Sequence, residues 1–173
     1  MATIGKTRAR CVGRLGGGEV PTLWLKEGAS QSLQDGQFVM MDATRGVLVV
    51  GSGAAVAGVA GMAQKDASGV TGAELPVSIN LEDCVWEMNL LGASAADYTS
   101  NASGNDIGTC YAIIASGNKH YVDSSDTTNE RCRVIRFAPG SAAGDVNARV
   151  HVVLLASTRN TSSAAKDSLF TSN

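Results

Sequence analysis

The 173-residue chain predicts an all-β fold, a barrel or sandwich of about eight to nine short strands. Three observations carry that expectation. Apolar runs of four to eight residues recur along the chain with turn residues between them, and no long helical period intervenes, which argues against a doubly wound parallel sheet. Hydrophobic residues make up 44%, but 24 of them are alanine and only 8 are aromatic, so the core must be built from small and β-branched side chains. Serine and threonine number 29 and glycine 20, a mixture that favours turns over long helices. The length suits one compact domain with arms.

Residues 1–27 contain "GRLGGGEVP" and little periodicity, and read as an extended N-terminal arm. The body, residues 28–156, opens with Gly36 before the run Phe38–Met41, and Thr44-Arg45-Gly46 turns into Val47–Val50, a hairpin. A strand at Val59–Ala63 ends in a turn at Asp66–Gly69. Leu75, Val77 and Ile79 then alternate with Pro76 and Ser78, and Cys84–Leu90 makes the next strand. Residues 92–105 form a small-residue loop in which Ala93–Tyr98 could make a helical turn. "DIGTCYAIIA", "KHYVD", "RCRVIRFA" and "ARVHVVLLAS" supply four further strands. The last is apolar on both faces, which predicts a central strand covered on both sides. Residues 157–173 are polar and read as a mobile or partner-bound tail.

Charge is distributed unevenly. Residues 1–26 hold Lys6, Arg8, Arg10, Arg14 and Lys26 against Glu19, a balance of +4, whereas residues 27–156 hold 7 basic and 14 acidic side chains, a balance of −7. Such an arm is expected to lie on another acidic surface, for instance a neighbouring copy; a solvated, disordered terminus is the plainer alternative. The net charge of −2 gives no electrostatic case for nucleic acid. "MATIGKTRARCVGRLGGG" lacks the apolar region of a secretory signal, and no run approaches the ~18 apolar residues of a membrane span. A protein made in a cytoplasm, with no membrane partner, is expected.

No catalytic, cofactor-binding or metal-binding residue is nominated. In "VLVVGSGAAVAGVAG", Gly51 and Gly53 fit a dinucleotide loop, but Val56 stands where the third small residue belongs and the next glycine is Gly58. Gly58 is followed by Val59-Ala60, not by the Lys-Ser/Thr of a phosphate loop. There is no G-x-S-x-G elbow. His120 and His151 read as ordinary strand residues. Glu82, Asp83 and Glu87 cluster, but on a strand Glu82 faces away from the other two, and those lie roughly 13 Å apart at about 3.3 Å per residue, too far for a glycosidase pair. Cys11, Cys84, Cys110 and Cys132 lack zinc-ligand spacing and read as small buried hydrophobes. Trp86 reads as core, whereas Trp24 could anchor an interface.

The order of segments has a family likeness. "SLQDGQFVMMD", "GVAGMAQKDASGVTGAELPVSI" and "CVWEMNL", followed by "DIGTCYAI" and "KHYVDSSDTTNERCRVIRFAPGSAAGDVNARVHVVLL", resemble the capsid decoration (cement) proteins of tailed bacteriophages. The likeness covers about residues 28–156 and rests on pattern, not on a catalytic signature. It implies a small β-barrel or β-tulip on the exterior of an icosahedral capsid. It also implies a homo-oligomer, most often a homotrimer, that bridges major capsid protein subunits and stabilises the head, with no cofactor. On that reading residues 1–27 are the capsid-binding arm. Lys6, Arg8, Arg10 and Arg14 would supply steering and rim contacts, and Val20, Leu23, Trp24 and Leu25 an apolar anchor. Another virion building block, such as a tail-tube or minor capsid subunit, and a carbohydrate-binding β-sandwich are the alternatives; the second is thin on aromatic platforms, with two Trp and three Tyr.

Overall fold

The structure is a computed structural model that describes residues 2–28, 32–41, 46–49, 58–80, 82–92 and 104–159. Its eleven described strands are β1 (Arg10–Arg14), β2 (Thr22–Lys26), β3 (Phe38–Met41), β4 (Val47–Val49), β5 (Val59–Ala63), β6 (Glu74–Ile79), β7 (Cys84–Leu91), β8 (Cys110–Ser116), β9 (Lys119–Asp123), β10 (Cys132–Phe137) and β11 (Arg149–Leu154). The only helical element among the described residues is a single 3-10 turn, Gly104–Asp106. The fold is all-β, as the sequence predicts. Nine of the strands, β3 to β11, fall on the nine runs read from the sequence.

One sheet runs β1-β7-β11-β10-β8-β9, and β9 returns to pair in parallel with β7 at Leu90↔Val122 and Leu91↔Asp123. Strands β7, β11, β10, β8 and β9 therefore close into a five-stranded barrel, which leaves them no free edge at that end. The other sheet is antiparallel, in the order β2-β6-β5-β3-β4. A single parallel bridge, Glu27↔Val47, draws its two outer strands together at one end.

Each side of the second sheet has its own apolar partner. Phe38, Val59 and Met62 face the barrel and share its core with Trp86, Met88, Leu90, Ile113, Val122, Val134, Val150, Val152 and Leu154. Val39, Ala63, Leu75, Val77 and Ile79 pack on the other side with Leu25, Leu33 and Val47. A strand covered on both faces cannot alternate between apolar and polar, so β5 is buried at every position. Gly61 sits in it where an added Cβ would collide with the Ser78 carbonyl and the Val77 side chain. The two sheets are joined by Phe38, whose ring meets Trp86 edge-on at 5.3 Å between centroids. Such a pair contributes about 0.5–1.5 kcal/mol beyond its burial. The Phe38 N–H also donates to His120 Nδ1 at 3.3 Å.

Strand β11 is central, between β7 and β10, as predicted. Val150, Val152 and Leu154 point into the core, whereas His151, on the other face, is buried among charged groups and not among apolar ones. The N-terminal stretch departs from expectation. It is extended, but it is not separate from the body: β1 joins the barrel sheet beside β7, and β2 joins the second sheet beside β6. Strand β1 escapes notice because "RCVGR" carries a bulge between Cys11 and Gly13 and sends only the half-buried Cys11 toward the core. At the other end, residues 157–159 are held to the body: Val59 donates its N–H to the Thr158 carbonyl at 2.9 Å, and Thr158 is fully buried. Residues 160–173, the turn at Thr44-Arg45, most of the glycine stretch 50–57 and Ala93–Tyr98 lie outside the described residues.

Candidate functional site

The N-terminal segment carries a net positive balance, and β7 is what it lies on. In the antiparallel register Arg10 stands opposite Glu87, and Arg14 opposite Cys84. The Arg10 Nε and Nη2 donate to the two Glu87 oxygens at 3.0 and 2.9 Å, a bidentate pair. Four residues along each strand, Arg14 Nε donates to Asp83 at 2.9 and 3.0 Å. The matched spacing, Arg10 to Arg14 against Asp83 to Glu87, was visible in the sequence. What the sequence does not reveal is the register that brings together residues 77 positions apart.

Glu87 is 3% exposed, and its carboxylate is the centre of a larger cluster. Arg149 Nη1 donates to Oε1 at 2.9 Å, and His151 Nε2 lies 3.3 Å from Oε2. Arg136 Nε donates to His151 Nδ1 at 2.9 Å. A guanidinium cannot accept, so Nδ1 carries the lone pair, and the ring proton on Nε2 is the one given to Glu87. Burial pushes the Glu87 carboxyl up, but the hydrogen bonds from Arg10 and His151 and the charges of Arg10 and Arg149 outweigh it and hold the group below the usual carboxylate range. Both nitrogens of His151 are engaged in these bonds, so in this arrangement the ring has no free lone pair with which to act as a base. The cluster is built to hold strands together.

Further contacts continue the attachment. Asn89, fully buried on β7, accepts the Thr7 N–H on Oδ1 at 2.8 Å and donates from Nδ2 to the carbonyls of Gly5 at 3.1 Å and Asn147 at 2.7 Å. Thr3 forms a parallel bridge with Val146, and Ala2 donates its N–H to Asp145 at 2.7 Å. Arg8 reaches Asp35 at 3.8 Å and Asp66 at 3.7 Å. Gly36 touches the segment so closely that an added Cβ would lie 2.6 Å from the Ala9 carbonyl oxygen.

The eight residues expected to form a capsid-binding patch are thus divided. Arg8, Arg10 and Arg14 face carboxylates of their own body. The carbonyl of Lys6 accepts from Lys119 Nζ at 3.3 Å. Leu25 is buried and Leu23 packs beside it in the second core, while Val20 packs against the barrel core. Trp24 alone among the apolar four stands out, 62% exposed on the outer strand β2, with Lys65 Nζ 5.4 Å from its ring centre. Its neighbours alternate with it, Leu23 and Leu25 inward and Thr22, Trp24 and Lys26 outward. The short apolar run Leu23–Leu25 between Thr22 and Lys26 was the readable signal for β2.

Among the described residues no group of three or more His, Cys, Asp or Glu is arranged to hold a metal ion. All four cysteines are free thiols; Cys84 and Cys132 are buried, Cys11 and Cys110 half-buried. Burial pushes the Cys11 and Cys132 thiols up, away from the reactive thiolate form. Comparison of the chain with protein families, with curated proteins and with solved structures finds no match in any of the three.

Proposed function

We propose that the protein is a structural component of a virion, a decoration protein that binds the outside of a tailed-phage head and stabilises it by bridging major capsid subunits as a homotrimer. The reading rests on the order of segments in residues 28–156, which resembles that family. One structural observation supports it: every segment quoted for the resemblance supplies a strand of the two packed sheets. A protein that binds only the assembled shell adds its binding free energy to the shell's stability by mass action. Trp24 supplies the contact toward the shell, an exposed aromatic on a well-supported strand, where few residues carry most of an interface's affinity.

The test is co-sedimentation of the full chain with expanded, DNA-filled heads of the phage that produces it, run beside a glycan array. Saturable binding to heads, and a raised temperature of head disruption, is the expected result. Binding to glycans with none to heads would replace this reading with that of a carbohydrate-binding module.

A further inference from the structure

We infer that residues 2–15 are exchanged between copies, each chain's β1 filling the barrel seam of a neighbour. The inference extends the self-association in the proposed function. The two sides of β7 are used differently. One side of β7 pairs with β11 from Trp86 to Asn89. The other side is shared: β9 takes only Leu90 and Leu91, and β1 covers Cys84 to Glu87. The barrel is thus closed along part of β7 and depends on an added strand for the rest. That strand makes its described pairings and ion pairs with residues beyond position 33, through Gln34, Asp35, Asp83, Glu87, Asn89 and Val146. None of these contacts requires that strand and seam belong to the same chain.

The connection to β2 is made to open. Gly16, Gly17 and Gly18 are exposed, and an added Cβ on any of them would meet nothing within 4 Å. Gly17 and Gly18 hold φ of +81° and +93°, so the chain reverses there in a conformation that glycine leaves at little cost. One hydrogen bond, Gly17 N–H to the Arg14 carbonyl at 3.0 Å, spans the reversal. Straightened, residues 15–19 reach roughly 17 Å, enough to step to a body in contact. Val20 packs on the barrel core and β2 stays in its own sheet, so the hinge falls between two anchored parts.

The occupant is a second copy because of what the strand shows on its outer side. Val12 is 38% exposed and Leu15 61%, two of the five large exposed hydrophobics among the described residues. Docked on its own chain, the strand leaves them bare. Placed between two bodies, the strand keeps the same ion pairs and has a second surface against which to bury them. The +4 segment and the −7 body supply the complementary charge.

Thr3→Cys with Val146→Cys tests this, since the two positions are bridge partners and lie outside both cores. The full chain is oxidised at a concentration where it sediments as an oligomer, or as it stands if it does not, then run denatured without reductant beside the Thr3→Cys and Val146→Cys single variants, which keep the same four native thiols. Exchange predicts a shift from single chains to covalent multimers that reductant reverses. Internally cross-linked single chains from a sedimenting oligomer would overturn exchange while leaving self-association intact. Single chains from a monomer would overturn both. A double variant that forms no cross-link would contradict the Thr3–Val146 pairing on which the inference stands.

Discussion

Glu87 and Glu27 are both buried carboxylates, at 3% and 1% exposure, and the fold compensates them by different means. Around Glu87 the compensation is ionic from Arg10 and Arg149, joined by a hydrogen bond from the His151 ring. Around Glu27 it is backbone: Oε1 accepts the Ser68 N–H at 2.7 Å, and Oε2 accepts the Gly69 N–H at 3.0 Å and the Ser68 hydroxyl at 3.2 Å. The ionic centre ties together parts of the chain far apart in sequence, β1, β7 and β11. The backbone centre shapes one local loop after β5 and seats it against the end of β2. Loss of the first should loosen the barrel seam; loss of the second should loosen a turn.

The largest effect is expected from Glu87→Ala. It removes the acceptor of the largely covered Arg149 and of the buried His151, while the exposed Arg10 turns to water, and losing these charge-assisted bonds costs about 3 kcal/mol. In a chain of this length that lowers Tm by roughly 6–12 °C, measurable by calorimetry.

Acid should approach the same state. The folded Glu87 carboxyl is held below its ordinary value, so its stabilisation is fully present above the usual carboxylate range near pH 4.3 and is lost as pH falls through the lowered folded value. Asp83, lowered first by the Arg14 hydrogen bond, and Asp145, lowered first by the Ala2 N–H, carry the same sign and also fasten the N-terminal segment. Urea midpoints between about pH 5 and pH 3 should fall, and Glu87→Gln should flatten the fall. An unchanged slope in that variant would remove Glu87 from the account.

Gly36→Ala separates docking of the segment from its charge. The added methyl meets the Ala9 carbonyl at 2.6 Å, and Gly36 holds a φ of +77° that alanine adopts poorly. A loss of about 2 kcal/mol is expected, with faster amide exchange around Ala9 as the local signature.

Glu27→Gln gives the smallest change. It removes the charge but keeps one oxygen for a backbone N–H, so about 1 kcal/mol should be lost. Exchange should quicken at Ser68 and Gly69 and stay unchanged at Arg10–Arg14. Equal change at both places would erase the distinction between the two centres.

How far the sequence disclosed all this follows from the range of each interaction. Strands β3, β5 and β9 were legible to the residue, because apolar runs bounded by Gly, Asp and Ser are local signals. Strand β1 was not, because its pairing depends on a bulge and on ion pairs with β7. The positive balance of the first 26 residues was legible, but not its destination. A charge count cannot tell an arginine that meets a partner from one that meets Glu87. Nor did anything local mark His151 as standing between Arg136 of β10 and Glu87 of β7.

The central claim, then, is that the segment's arginines are occupied within the protein or its oligomer, and that Trp24 meets the shell. Head binding by Trp24→Ala and by Arg14→Ala, measured by co-sedimentation at two salt concentrations, tests it most directly. Trp24→Ala is expected to weaken binding by about 2 kcal/mol or more. Arg14→Ala should leave both affinity and its salt dependence unchanged. Binding that survives the loss of Trp24 but falls with Arg14, most strongly at low salt, would contradict it.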